Sequence, residues 1–194
     1  MEPVTEWIRH RFPTVGNVCP NQLEQLVKEN RQQILMLDVR SPAEYEVSHL
    51  QGAIRVDPET TDMDHLVKDL GLAGSDAAQT VVCYCTVGFH ASQLIEKLLL
   101  FLDGDRRLSF QRAMTVYNLE GGLLKWAEEK KPLVDGTNHI TSQIHPYCHI
   151  WAQLLKADFK ASRHQPSPTQ PSQPSPTQPS PTQPSPSQPS PSQP

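Results

Sequence analysis

The sequence predicts an α/β domain with a mostly parallel sheet flanked by helices, and three observations carry that prediction. Short apolar runs, Ile34-Leu35-Met36-Leu37 and Thr80-Val81-Val82-Cys83-Tyr84-Cys85, have strand length and no polar alternation, as strands covered on both faces do. Segments with helical spacing of apolar residues separate them, the strongest being Ala91 to Leu102. Helix start and stop signals mark the junctions, so strand and helix alternate along the chain.

In chain order, Val4, Trp7 and Ile8 give the first segment a helical face from Val4 to Arg11, and Pro13 ends it. Residues 1–19 read as an N-terminal helical extension. A second helix starts at Asn21, a capping residue, and carries Leu23, Leu26 and Val27. The Ile34 run follows as a strand ending in Asp38-Val39-Arg40. Ser41-Pro42-Ala43-Glu44 then supplies a cap, a proline at the first helical position and an acid three residues after the cap. Beyond Gly52 a small strand covers Ile54 to Val56, and Thr61 to Leu70 forms a helix stopped by Gly71. After the Thr80 strand and the Ala91 helix come a charged connection, Asp103 to Arg112, a strand over Thr115 to Leu119, and a helix introduced by Gly121-Gly122. Apolar residues from Ile140 to Lys160 predict a closing amphipathic helix that docks on the domain, assigned to residues 136–162.

The last thirty residues, Gln165 to Pro194, contain only Gln, Pro, Ser and Thr in QPSPT-like repeats. Nothing apolar is there to offset ordering, so residues 163–194 are expected to be a disordered or polyproline II tail. Its Ser-Pro and Pro-x-x-Pro spacings leave room for a tail-binding partner, with a plain spacer as the competing reading.

The formal net charge of −4 comes with no long Lys or Arg run, which argues against nucleic acid or an anionic membrane as partner. The apolar run Leu98 to Leu102 is far below the roughly 18 to 20 residues of a membrane span. The first residues hold acids and no secretory apolar core. Four cysteines in such a chain predict reduced thiols and a cytoplasmic location. A zinc set drawn from Cys83, Cys85, His145 and Cys148 lacks a Cys-x-x-Cys pair, so no metal is expected.

Chemistry concentrates where the Thr80 strand meets the Ala91 helix. In an open parallel sheet, ligands bind beyond the carboxyl ends of the strands, and Cys85 stands at that edge. Cys83 lies two residues back inside the strand, where apolar neighbours disfavour its ionisation. The loop after Cys85 can turn backbone N–H groups toward the sulfur, and the helix adds its positive end. Those effects predict a thiol pulled below its ordinary value near ~8.5 and a thiolate at neutral pH. The residues alone leave Cys85 open between a nucleophile and a small residue that happens to end a strand.

Three blocks resemble the rhodanese-like (sulfurtransferase) domain family in its single-domain form, over about Pro20 to Lys131 and with the domain placed at residues 20–135. They are Leu37 to Tyr45 running on into Ser48 to Ile54, Cys85-Thr86-Val87-Gly88-Phe89-His90-Ala91-Ser92, and Val116 to Gly122 with Trp126 four residues later. The resemblance implies a five-stranded sheet and a sulfurtransferase that carries sulfane sulfur as a persulfide on Cys85. Thr86, Val87, Gly88, Phe89, His90 and Ala91 would form the substrate-binding loop, with Asp38 and Arg40 as a supporting pair. Thiosulfate or a persulfide would be the donor and a thiol or protein the acceptor. No cofactor or metal is implied. The alternative is a catalytically weak or inactive binding or regulatory module.

The loop from Cys85 to His90 has the sulfurtransferase length, whereas the family's phosphatases have one more residue and close the loop with arginine. Ala91 stands at that position, which argues against phosphate chemistry. His90 stands where many relatives have arginine, and Thr86 and Val87 stand where some have basic residues. Those departures remove fixed positive charge from the loop. The His90 side chain is expected either to face the donor or to point to solvent from the first helical turn.

Overall fold

The apolar runs that lack alternation fall where two layers of helices can cover them. The computed structural model describes residues 2–30, 34–72, 79–104 and 114–145. Among these, five strands form one parallel sheet: β1 (Gly16–Val18), β2 (Ile34–Asp38), β3 (Ile54–Arg55), β4 (Gln79–Tyr84) and β5 (Met114–Leu119). Their spatial order is β1-β5-β4-β2-β3. β4 is central, and Leu37 of β2 pairs with Cys83 and Asp38 with Tyr84. That register brings the ends of β2 and β4 to one edge of the sheet.

Among the described residues six helices accompany the strands: α1 (Glu2–Arg11), α2 (Pro20–Asn30), α3 (Pro42–Val47), α4 (Met63–Asp69), α5 (Phe89–Gly104) and α6 (Gly122–Glu128). The Ser41 cap and the Gly71 stop act as expected, whereas Asn21, expected to cap α2, lies inside it, and the Cys19 N–H donates to Gln22 Oε1 at 2.9 Å instead. The Glu44 N–H donates to the Ser41 hydroxyl at 3.4 Å, and the Ser41 N–H donates to Glu44 Oε2 at 3.2 Å. At α4 the His65 N–H donates to Asp62 Oδ1 at 2.9 Å, and Gly71 follows in a left-handed conformation. Leu94, Ile95 and Leu98 of α5 pack with Val81, Val82, Leu119 and Leu123 in one core. No described helix is long and apolar enough to cross a membrane.

Two elements differ from the sequence reading. Gly16–Val18, within the span assigned to the N-terminal extension, is an edge strand of the central sheet, parallel to β5. Ile140–Thr141, expected to begin a helix, is the strand β7, antiparallel to β6 (Leu133–Val134). β-Branched residues followed by polar ones suit a short pair of this kind better than a helix start. Residues 146–162 of the expected helix, the 163–194 tail and most of the charged connection after Asp103 lie outside the described residues.

Candidate active site

β4 ends at Tyr84 and α5 begins at Phe89, so the chain has Cys85 to Gly88 in which to turn from strand to helix. Gly88 makes the turn at φ +100°, a region that L side chains avoid. The turn aims backbone donors at the sulfur. The Gly88 N–H donates to Cys85 Sγ at 3.1 Å, and the backbone N–H groups of Ala91, Val87 and His90 are near enough to favour its charged form. The first turn of α5 thus presents its unsatisfied donors to the side chain that precedes it. Ser92 locks the turn, its hydroxyl donating to the Gly88 carbonyl at 2.8 Å.

The ionisation of Cys85 departs from the sequence expectation. Burial pushes the thiol up, the N–H groups of Ala91, Val87, Gly88 and His90 pull it back, and the balance stays above the ordinary value. The residue is only 2% exposed. Sequence reasoning counted the donors correctly but not the cover over the site. Cys83, fully buried in β4, is pushed up to about 12, first by burial and then by Cys85. It is a core thiol, as its position inside the strand predicts.

Three neighbours fix the loop from behind. The Leu123 N–H donates to the Cys85 carbonyl at 2.9 Å and the Leu124 N–H to the Thr86 carbonyl at 3.1 Å, which joins the start of α6 to the loop backbone. Thr86 turns its hydroxyl to Glu44 Oε1 at 3.0 Å, while Glu44 Oε2 serves the α3 cap. Asn118 of β5 lies against Gly88, with its side-chain atoms 3.0 and 3.1 Å from where a β-carbon would stand. Glu44 and Asn118 were absent from the expected site. Glu44 was legible only as a capping acid, and its second oxygen does the further work.

Asp38 and Arg40 form a buried bidentate pair, Nε to Oδ1 at 2.7 Å and Nη2 to Oδ2 at 2.5 Å. Arg40 Nη2 also donates to the Ser48 carbonyl at 2.6 Å. Burial opposes the Arg40 charge, but Asp38, Tyr84 and Glu44 hold its pKa above the ordinary value. The pair ties β2 to the segment after α3, beside Tyr84.

The cover over Cys85 is α1. Trp7 stacks on Phe89 with ring centroids 5.4 Å apart and planes at 16°, and Phe12 meets Phe89 edge-on at 5.4 Å. Arg9 pairs with Glu120, which also accepts from Lys125 Nζ at 2.8 Å, so α1 is clamped to the end of β5. Between helix and loop lies a cavity of about 180 Å3. Val4, Trp7 and Ile8 form one wall, and Cys85, Thr86, Val87, Phe89 and His90 form the other. His90 therefore faces the cavity rather than bulk solvent alone, with its ring edge-on to Phe89 at 5.7 Å. Of the expected loop residues, Thr86, Val87, Phe89 and His90 line this cavity beside Cys85, whereas Gly88 and Ala91 do not. The three from α1 were missed, because an amphipathic face in sequence does not say what it covers. Among the described residues, no group of three or more His, Cys, Asp or Glu side chains is arranged to hold a metal.

Comparison with known proteins places this geometry. The chain is 27% identical over 111 residues to a tRNA uridine(34) hydroxylase of Yersinia pestis (strain Pestoides F), covering 57% of this chain and 28% of that protein. It is 24% identical over 117 residues to the probable adenylyltransferase/sulfurtransferase MoeZ of Mycobacterium tuberculosis (strain CDC 1551 / Oshkosh), covering 60% and 26%. The chain thus spans little more than a quarter of the curated relatives it matches. The crystal structure of thiosulfate sulfurtransferase from Pseudomonas aeruginosa shares the fold, with a TM-score of 0.51 at 16% identity over 77% of this chain and 25% of that one. The rhodanese-like domain family matches residues 20–129, an interval that contains all three sequence blocks. Since that match takes in more than half of the sequence, the chain belongs to the rhodanese-like domain family.

Proposed function

We propose that the protein is a sulfurtransferase that carries sulfane sulfur as a persulfide on Cys85. The observation that carries the reading is the loop of sulfurtransferase length that sets the Gly88 N–H on Cys85 Sγ at 3.1 Å, with the N–H groups of Ala91, Val87 and His90 also favouring the charged form. Such fixed dipoles stabilise charge that develops on sulfur without reorganising during the reaction. The Cys85 thiolate attacks the outer sulfur of a donor, the new S–S bond replaces the donor's bond to that sulfur, and the electron pair leaves with the donor fragment. A thiol or protein acceptor then takes the sulfur by a second exchange of the same kind. Electrons balance within each step, so no redox cofactor or metal is required. Mass spectrometry after incubation with a sulfane-sulfur donor should show one added sulfur on Cys85. Equal labelling of Cys85→Ser would rule the assignment out.

A second reading, a binding or regulatory module with little activity, is favoured by one observation: α1 leaves Cys85 2% exposed and its thiol above the ordinary range. This reading predicts that purified protein neither accepts nor releases sulfur with thiosulfate, mercaptopyruvate or organic persulfides, while residues 1–164 capture a partner.

A further inference from the structure

The cavity beside Cys85 has an unusual composition for a site that would bind a small dianion. Its walls are Val4, Trp7 and Ile8 of α1 against Val87 and Phe89, with Cys85, Thr86 and His90 as its polar members; the Thr86 hydroxyl is given to Glu44, and no Lys or Arg lines the cavity. A thiosulfate ion there would exchange its hydration for hydrocarbon and aromatic faces, with no permanent cation in compensation. An apolar group would gain from the same burial. The volume of about 180 Å3 suits a substituent the size of a benzyl or short branched alkyl group.

We propose that this cavity is a specificity subsite for the organic group of a hydropersulfide donor, R–S–SH, in which R is aromatic or branched aliphatic. The inference rests on the sulfurtransferase reading and names its substrate class. The geometry gives the orientation. R lies in the cavity against Val4, Ile8 and the stacked Trp7–Phe89 pair, and the terminal sulfur points to Cys85 on the opposite wall. The Cys85 thiolate attacks that terminal sulfur and forms the Cys85 Sγ–S bond. The bond between the two donor sulfurs breaks, and R–S⁻ leaves with its electron pair and takes up a proton. No net oxidation or reduction occurs, since a single sulfane sulfur passes from the R–S sulfur to Cys85. Trp7 is 56% exposed yet stacked, so it serves as a wall at the mouth rather than as a core residue.

Two measurements on the full chain separate this subsite from the reaction it serves. The first is binding of benzyl methyl sulfide, which has no sulfane sulfur, to the Cys85→Ser protein by ligand-observed NMR. Saturable binding should weaken roughly tenfold in Trp7→Ala and in Val4→Glu, the scale at which an apolar pocket responds to lost or charged wall area. Val4 is only partly buried, so Val4→Glu tests the wall even if Trp7→Ala disturbs α1. The second is kcat/KM for sulfur uptake by the parent protein from benzyl hydropersulfide, methyl hydropersulfide and thiosulfate. Benzyl should exceed methyl by at least roughly tenfold, and that advantage should vanish in Val4→Glu. Absence of benzyl methyl sulfide binding, or equal uptake from the two hydropersulfides, overturns the subsite while leaving sulfur transfer intact. Wall-dependent binding without sulfur uptake from any donor overturns the sulfurtransferase reading and, with it, the assignment of R–S–SH as the ligand.

Discussion

Gly122 lies so close to Cys85 that an added β-carbon would stand 2.4 Å from the Cys85 carbonyl oxygen and 2.7 Å from the Thr86 carbonyl. Gly122 is also at φ +58°, so two requirements fall on one residue. Gly122→Ala must push the loop backbone and hold a left-handed conformation. The cost should be about 1–3 kcal/mol from backbone strain alone. Thermal unfolding should show a lower Tm and sulfur uptake by Cys85 should fall, because the displaced loop no longer aims its N–H groups. Unchanged Tm and uptake would mean that α6 does not support the loop.

The two neighbouring cysteines should separate cleanly. Cys83, pushed up to about 12, holds essentially no thiolate near neutrality. Cys83→Ala should keep sulfur uptake while losing about 1 kcal/mol of stability from the vacated core volume. Cys85→Ala should lose uptake and leave Tm little changed. Peptide mapping of the persulfide on the two variants checks both statements.

Removing Asp38 should cost much more than its two hydrogen bonds suggest. Arg40 is buried, and its charge is held by Asp38 Oδ1 and Oδ2 at 2.7 and 2.5 Å. Asp38→Ala strands that guanidinium in the protein interior, a change worth about 3–5 kcal/mol. Urea unfolding should register the loss. The double variant Asp38→Ala, Arg40→Met should recover much of it, because no charge is then left buried.

Glu120 gives α1 an acid-sensitive clamp. Burial raises its pKa, but hydrogen bonds from Lys125 and Arg9 outweigh that and leave it below the ordinary 4.5. A carboxylate depressed in the folded state contributes stability above its unfolded value, and the contribution is lost as pH falls through the folded value. Acidification below about 4.5 should therefore loosen α1 before global unfolding. The change should be visible as altered Trp7 emission once its stacking on Phe89 is relieved. Glu120→Gln should remove that acid step, and its persistence in the variant would assign the step to another group.

The parts of the fold legible in sequence were those with a local cause. The β2 and β4 runs lack polar alternation, and Leu37 and Val81 to Tyr84 within them are buried, while the Ser41-Pro42-x-Glu44 cap is written in consecutive residues. β1 was not legible: Gly16-Asn17-Val18 has neither an apolar run nor strand-forming composition, and it joins the sheet through backbone pairing with Tyr117, Asn118 and Leu119. The same division holds at the site. Cys85, Gly88 and the loop donors follow from a strand-to-helix junction, whereas Trp7 reaches Phe89 from 82 positions away in sequence. Only the fold brings it there. The error over Cys85 ionisation has this same origin, since donors are encoded locally and burial is not.

That origin yields a test of the relation between cover and nucleophile. Burial is the largest influence on Cys85 and raises its pKa, while the N–H groups of Ala91, Val87, Gly88 and His90 lower it. In the parent protein, sulfur uptake should therefore rise with pH through the alkaline range, because the Cys85 thiolate forms at higher pH than that of an ordinary thiol. Trp7→Ala removes the exposed wall of the cavity and admits water to the sulfur without touching the four donors. Desolvation falls and the donors remain, so the thiol should ionise at lower pH. The alkaline limb of kcat should shift toward neutrality even as KM for a benzyl hydropersulfide rises. Thiolate absorbance in a Cys19→Ser, Cys148→Ser background would follow the titration directly, because those two thiols would otherwise contribute. A limb that stays in place while the benzyl preference is lost would show that α1 selects the donor but does not set the ionisation of Cys85.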